Sequence, residues 1–262
     1  MSSRPTAIEA LAESPATSGL VLDFDGVLSP IVDDPAASAM PEHTEAALRR
    51  LVGSLGLLAV ISGRPVEFLE DRVRVPGMPL LGSYGMEQSW DGERHIDPDA
   101  KSWLNQVRTA SQLLSAQFAN DQGIRVERKS VSVAVHWRQA PDHAAAARRV
   151  REVTARVAAE TGLRLEPGKL VEELRPPVAM DKGSAIARLI SAKGNLTLFA
   201  YAGDDLGDIP ALKAASESGG YALVVDHGHE TDPRLLDLAD ETYPGTEAFA
   251  SWLARLADAV TG

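Results

Sequence analysis

Apolar residues fall along this chain in two alternating patterns. Short, wholly apolar runs are separated by longer segments in which apolar positions recur every three or four residues. Gly19-Leu20-Val21-Leu22 and Leu57-Leu58-Ala59-Val60-Ile61 lack the polar alternation of a strand with one wet face. Runs of that kind belong to strands covered on both sides. The first stops at Asp23, the second at Ser62-Gly63-Arg64-Pro65. Between them, Ala46, Ala47, Leu48, Leu51 and Val52 mark one face of a helix over 42–52, with Pro41 suited to its first turn. A helix over 66–72 and a short strand over 79–82 follow. After residue 175 the rhythm resumes: helix 182–193, strand 196–202, helix 209–218, strand 221–225 and a last helix over 246–260. Alternation of this kind predicts parallel βαβ units.

The middle of the chain reads differently. A helix over 99–119 leads into a long strand-like run over 125–136. An Ala- and Arg-rich helix over 141–161 comes next, then two short strands over 163–174 joined at Pro167-Gly168. Strands with helices returning over one face predict a small antiparallel α+β unit. The expected fold is therefore α/β, a Rossmann-like parallel-sheet core with an inserted smaller α+β cap domain. Its expected bounds are a flexible tail over 1–16, a core over 17–92 and 175–262, and the insertion over 93–174.

Composition narrows the chemistry. The net charge of -11 over 262 residues supplies no basic field for nucleic acid. With no cysteine, disulfides and thiolate chemistry are excluded. The first sixteen residues lack the apolar core of a secretory signal, and no run approaches a membrane span. The expectation is a cytoplasmic protein, a monomer, with neither a nucleic-acid nor a membrane partner.

Candidate chemistry sits at strand ends and helix starts, where open parallel sheets bind ligands. Asp23 and Asp25 flank Phe24 after the first strand, one carboxylate suited to attack phosphorus and the other to move a proton. Alone, such a pair is more often an acidic turn. Ser62 could hold a phosphoryl oxygen with Gly63 allowing close approach, or simply start a helix. Arg64 could orient the acidic groups or face solvent. Lys182, opening a helix, could neutralise a phosphate or be solvated. Asp204, Asp205 and Asp208 crowd three carboxylates into five residues, and like charges so close call for a cation, Mg2+ fitting an all-oxygen donor set.

Taken together, these segments resemble the motifs of the haloacid dehalogenase superfamily: Asp23-Phe24-Asp25-Gly26-Val27, Ser62, Lys182, and Gly203-Asp204-Asp205-Leu206-Gly207-Asp208. The resemblance implies a phosphatase. Asp23 is then nucleophile and metal ligand, Asp25 the acid/base and a metal ligand through its backbone carbonyl. Ser62 and Lys182 hold the phosphoryl group, and Asp204, with Asp205 and Asp208, completes the magnesium site. A narrower resemblance, to trehalose-6-phosphate phosphatases, rests on Leu28-Ser29-Pro30-Ile31, Gly82-Ser83-Tyr84-Gly85-Met86-Glu87, Val126-Glu127-Arg128-Lys129-Ser130 and Glu172-Glu173-Leu174-Arg175-Pro176. It implies that Gly63, Arg64, Glu127, Lys129 and Glu173 bind a small-molecule sugar phosphate, trehalose 6-phosphate, which is hydrolysed to trehalose and phosphate through a phospho-aspartate. Gly207-Asp208-Ile209-Pro210 departs from that family's acidic continuation. A related sugar or pseudo-sugar phosphate, or a non-catalytic sugar-phosphate-binding module, are the alternatives.

Overall fold

A computed structural model describes residues 4–32, 34–168 and 170–262. The chain divides into two compact units, one formed by Met1–His95 with Met180–Gly262 and the other by Ile96–Ala179.

In chain order the elements of the larger unit begin with α1 (Ala7–Glu13), β1 (Ser18–Leu22), α2 (Glu42–Leu51) and β2 (Leu57–Ile61). Next come α3 (Val66–Arg72), β3 (Leu80–Gly82), β4 (Glu87–Trp90) and β5 (Glu93–Ile96). The smaller unit supplies α4 (Pro98–Lys101), α5 (Leu104–Gln117), β6 (Arg125–Arg128), β7 (Val133–His136), α6 (His143–Thr161), β8 (Arg164–Gly168) and β9 (Val171–Arg175). The chain returns through α7 (Lys182–Lys193), β10 (Leu198–Gly203), α8 (Ile209–Glu217), β11 (Tyr221–Asp226), α9 (Pro233–Leu236), β12 (Glu241–Pro244) and α10 (Gly245–Thr261).

The main sheet has the order β12-β11-β10-β1-β2-β3-β4-β5. Its first six strands run parallel, and β4 pairs antiparallel with β3. The apolar runs are buried on both faces, as their composition predicts. Leu20, Leu22, Leu58, Val60, Ala200, Ala202, Leu223 and Val225 pack into one cluster with α1, α2 and α10, while alternate residues such as Val21, Ala59 and Tyr201 are equally buried. Each large aliphatic chain so covered contributes about 1.5–3 kcal/mol. β1 lies between β2 and β10, so its end is the centre of the sheet edge where the chemistry-bearing loops emerge.

The smaller unit is an antiparallel sheet of order β6-β7-β9-β8. Val133, Val135 and Leu174 join Val107, Leu114, Val150 and Val157 of the two long helices in its core. Register places Glu127, Ala134, Glu173 and Glu166 in one row on the opposite face.

Several expectations are corrected. The tail expected over 1–16 contains α1, whose Ala7 and Leu11 are fully buried; Thr6 and Glu9 form a capping box, and residues 1–3 lie outside the described residues. The single strand over 125–136 is a hairpin, closed by the Lys129 N–H donating to the Ser132 carbonyl at 2.9 Å. The helix over 99–119 is two helices. Pro167 and Gly168 belong to β8, and after them Leu170 turns the chain with φ 60°; Lys169 lies outside the described residues. β4, β5, β12 and α9 are additional elements.

Candidate active site

β1 delivers Asp23 to the sheet edge, where only 4% of it is exposed. The backbone fixes the turn that follows: Gly26 N–H donates to the Ser29 carbonyl, and Leu28 and Ser29 N–H groups both reach the Phe24 carbonyl. Gly26 is required twice over, by its φ of +74° and because a Cβ there would lie 1.9 Å from Asp204 Oδ2.

Lys182 breaks a local rule, since a cation in the first turn opposes the helix dipole. Asp181 caps α7 through the Ser184 N–H, and Lys182 points its ammonium into a buried carboxylate cluster instead. Its Nζ lies 2.8 Å from Asp23 Oδ2 and 2.6 Å from Asp208 Oδ1. Gly183 makes this approach possible, because a Cβ there would sit 2.6 Å from the Pro210 carbonyl oxygen at the start of α8. A local preference overridden for a buried charge contact is the mark of a site.

Asp208 is fully buried and surrounded by donors. Tyr201 O–H and Lys182 meet Oδ1, while the N–H groups of Asp204 and Asp205 donate to Oδ2 at 2.9 and 3.0 Å. Burial alone would raise its pKa, but Lys182 and these hydrogen bonds outweigh it and hold the carboxyl below its ordinary value. The Lys182 ammonium loses by burial and gains more from Asp208 and Asp23, so its pKa stands well above normal. Tyr201→Phe deletes a donor to a charged partner. We expect a loss of about 1.5–3 kcal/mol in urea unfolding; a change below about 0.5 kcal/mol would show that this hydroxyl does not hold Asp208.

Asp23, Asp204 and Asp208 each offer one carboxylate oxygen, all within 4.8 Å of one another. Burial pushes Asp23 well up, though Lys182 draws it down. Burial, followed by Asp23 and Asp208, raises Asp204 to about 9. Asp23 Oδ1 is buried with no hydrogen-bond partner. An orphaned anionic oxygen amid excess negative charge and hard oxygen donors fits a divalent cation such as Mg2+. Among the described residues this is the cluster of side chains that could hold a metal, and the Asp205 side chain, expected as a ligand, is not part of it; for Asp25 the expected ligand is the backbone carbonyl. Asp205 instead accepts from the Gly207 N–H and caps the short turn of residues 206–208.

Asp25 is held by a two-pronged contact. Arg64 Nε donates to its Oδ2 at 2.7 Å and Nη2 to its Oδ1 at 3.0 Å, while Ser38 O–H adds a bond of 2.7 Å. Arg64 thus orients an acidic group, as one reading of the sequence has it, and meets the proposed acid/base with its guanidinium over the Phe68 ring. Ser62 is 2% exposed and accepts from the Arg64 N–H. Gly63 leaves room for the Tyr84 ring, which a Cβ would approach to 2.8 Å.

In the smaller unit, Lys129 Nζ lies 2.8 Å from Glu173 Oε2, and Ser132 donates to the other Glu173 oxygen. Glu127 Oε2 lies 2.9 Å from His136 Nε2. All three residues expected at the sugar therefore share one polar face, already joined to neighbours. The His136 contact, opposed by partial burial, lowers Glu127 from 4.5 to about 2. Its charged form then favours the fold, fully above pH 4.5 and progressively less as pH falls to about 2. The melting-temperature gap between the wild type and Glu127→Gln should close over that window; a constant gap would rule the pair out as its source.

Tyr201, Ser38 and His227 enter this site without having been singled out in the sequence. Each has a weak signal, as a polar residue inside a buried run, in a loop, or just past a parallel strand.

The trehalose-phosphatase family profile matches residues 21–233. The chain belongs to the trehalose-phosphatase family. A trehalose-phosphate phosphatase of Mycobacterium avium is 37% identical over 247 residues, 90% of this chain and 61% of its own length. An uncharacterized glycosyl hydrolase of Mycobacterium tuberculosis is 36% identical over 225 residues, 81% of this chain and 16% of its own. The chain thus spans a minor part of one such relative and under two thirds of the other. A crystal structure of a trehalose-6-phosphate phosphatase related protein covers 92% of this trehalose-phosphatase family member and 97% of its own chain, with a TM-score of 0.75 and 20% identity. That likeness speaks for the fold, a mixed core sheet with a separate small antiparallel sheet. No helix among the described residues of this family member is long and apolar enough to cross a membrane.

Proposed function

We propose that the chain hydrolyses trehalose 6-phosphate to trehalose and phosphate through a phospho-aspartate on Asp23. The observation that carries this reading is the Lys182 ammonium bridging Asp23 and Asp208 beside the unpartnered Asp23 Oδ1. Where Oδ1 would face the metal, Oδ2, held in place by Lys182 at 2.8 Å, is the nucleophile. It forms a bond to phosphorus as the bond to the sugar oxygen breaks, and Asp25 gives that oxygen a proton. Water then attacks the acyl phosphate, passes a proton to Asp25, and regenerates the Asp23 carboxylate. Lys182 and Ser62 hold phosphoryl oxygens. Asp23, Asp204 and Asp208 would hold Mg2+, which when bound offsets charge on the transferring group. Before Asp25 can serve the leaving oxygen it must release part of the Arg64 and Ser38 contact. Glu127, Lys129 and Glu173 are assigned to sugar hydroxyls.

A second reading, a related sugar phosphate, is favoured by Pro210, which packs against Gly183 where the family has an acidic continuation. Phosphate release from a panel of sugar phosphates, with and without Mg2+, tests both. Metal-dependent release from trehalose 6-phosphate above all others is expected. Preference for another sugar phosphate selects the second reading, and no release from any member overturns both.

A further inference from the structure

His227 follows β11 directly, neighbouring the strand that carries Asp204. Its backbone is anchored, the His227 N–H donating to Thr231 Oγ1 at 2.7 Å. Its side chain is 17% exposed, with Nε2 lying 2.9 Å from the Gly26 carbonyl oxygen and 3.7 Å from Asp204 Oδ2. A carbonyl only accepts, so Nε2 carries the hydrogen in this contact. Gly26 is the residue whose missing side chain makes room for Asp204, and it directly follows Asp25 in a turn whose other side is fixed by the Gly26 N–H to Ser29. The His227 bond therefore fixes the one remaining polar group of Gly26, the carbonyl of the Gly26–Val27 peptide, so that the turn holding Asp25 is tied down on both sides of Gly26.

We propose that His227 is a positioning residue: its Nε2–H pins the Asp25–Gly26 turn so that Asp25 faces the leaving oxygen. The inference rests on the phosphatase reading above and deepens it. Loosening a proton donor matters most for a leaving group that needs the proton. A sugar alkoxide does; p-nitrophenolate leaves readily without one. Because kcat/KM reports steps through transfer to Asp23, it is the parameter to compare at one pH and saturating Mg2+. His227→Phe keeps ring volume and removes the donor, whereas the amide nitrogen of His227→Gln reaches the place of Nε2.

We expect His227→Phe to lower kcat/KM for trehalose 6-phosphate at least about tenfold and for p-nitrophenyl phosphate less than about threefold, with His227→Gln near wild type on both. Should His227→Phe not fold, His227→Ala makes the same comparison. Equal losses on the two substrates, no loss, or a His227→Gln as impaired as His227→Phe overturns the positioning role while leaving the phosphatase reading intact. A wild type that hydrolyses neither substrate overturns both.

Discussion

Asp23→Asn is expected to release phosphate at less than about one ten-thousandth of the wild-type rate, while melting no lower than wild type in metal-free buffer. The two outcomes have one origin. Burial raises the Asp23 pKa, so its charged form is disfavoured by folding. A group with that shift subtracts stability at pH values above its ordinary pKa, and the neutral amide removes the penalty. The amide has nearly the same shape, and Lys182 retains Asp208 as a partner at 2.6 Å. But an amide oxygen does not attack phosphorus. Phosphate release measured beside a thermal melt decides both points; turnover near wild type would sink the assignment of Asp23.

Lys182→Met should be equally inactive for a different reason, and much less stable. The ammonium is raised well above its ordinary pKa by Asp208 and Asp23. Its contribution to stability is present at all pH values below that ordinary value and lost only as pH rises through the folded one. Removing it leaves two buried carboxylates facing each other without a counter-ion. Breaking a buried ion pair from one side costs about 3–5 kcal/mol. Urea unfolding in chelator should show that loss, and added Mg2+ should recover part of it by occupying the same cluster. A loss under about 1 kcal/mol would mean that the carboxylates find other partners. The pair of variants separates catalysis from stability: the same activity is lost, with opposite effects on the fold.

The sequence made the strand-end residues legible because apolar runs that stop at a polar residue locate it at the edge of a parallel sheet. Asp23, Ser62 and Asp204 could be placed in that way, and they do lie at the ends of β1, β2 and β10. Tyr201 could not, since inside Leu198–Gly203 it reads as one more buried aromatic; only the position of Asp208 beneath the edge gives its hydroxyl a partner. His227 was hidden by distance, its partner Gly26 being 201 residues away in the chain. The hairpin over 125–136 was missed because Lys129-Ser130 carries no Gly, Pro or Asn to mark a turn. The helix α1 had a signal in plain view, Thr6 three residues before Glu9, which the Ser- and Pro-rich surroundings obscured. The partners of Arg64 lay beyond any local pattern, for side-chain pairing is set by tertiary register.

The strand order also bears on how the protein is made. β1 is the central strand, and its two partners arrive far apart in time: β2 soon after it, β10 only after the whole smaller unit has been synthesised. In the interval a growing chain exposes, to solvent or to other nascent chains, one side of a strand that is buried throughout in the finished fold. Closing that gap late, across so much intervening sequence, is the slow kind of contact. Asp23 thus leaves the ribosome well before Lys182, Asp204 and Asp208, which complete its surroundings, and a chaperone that shields the free edge of β1 would act at that stage.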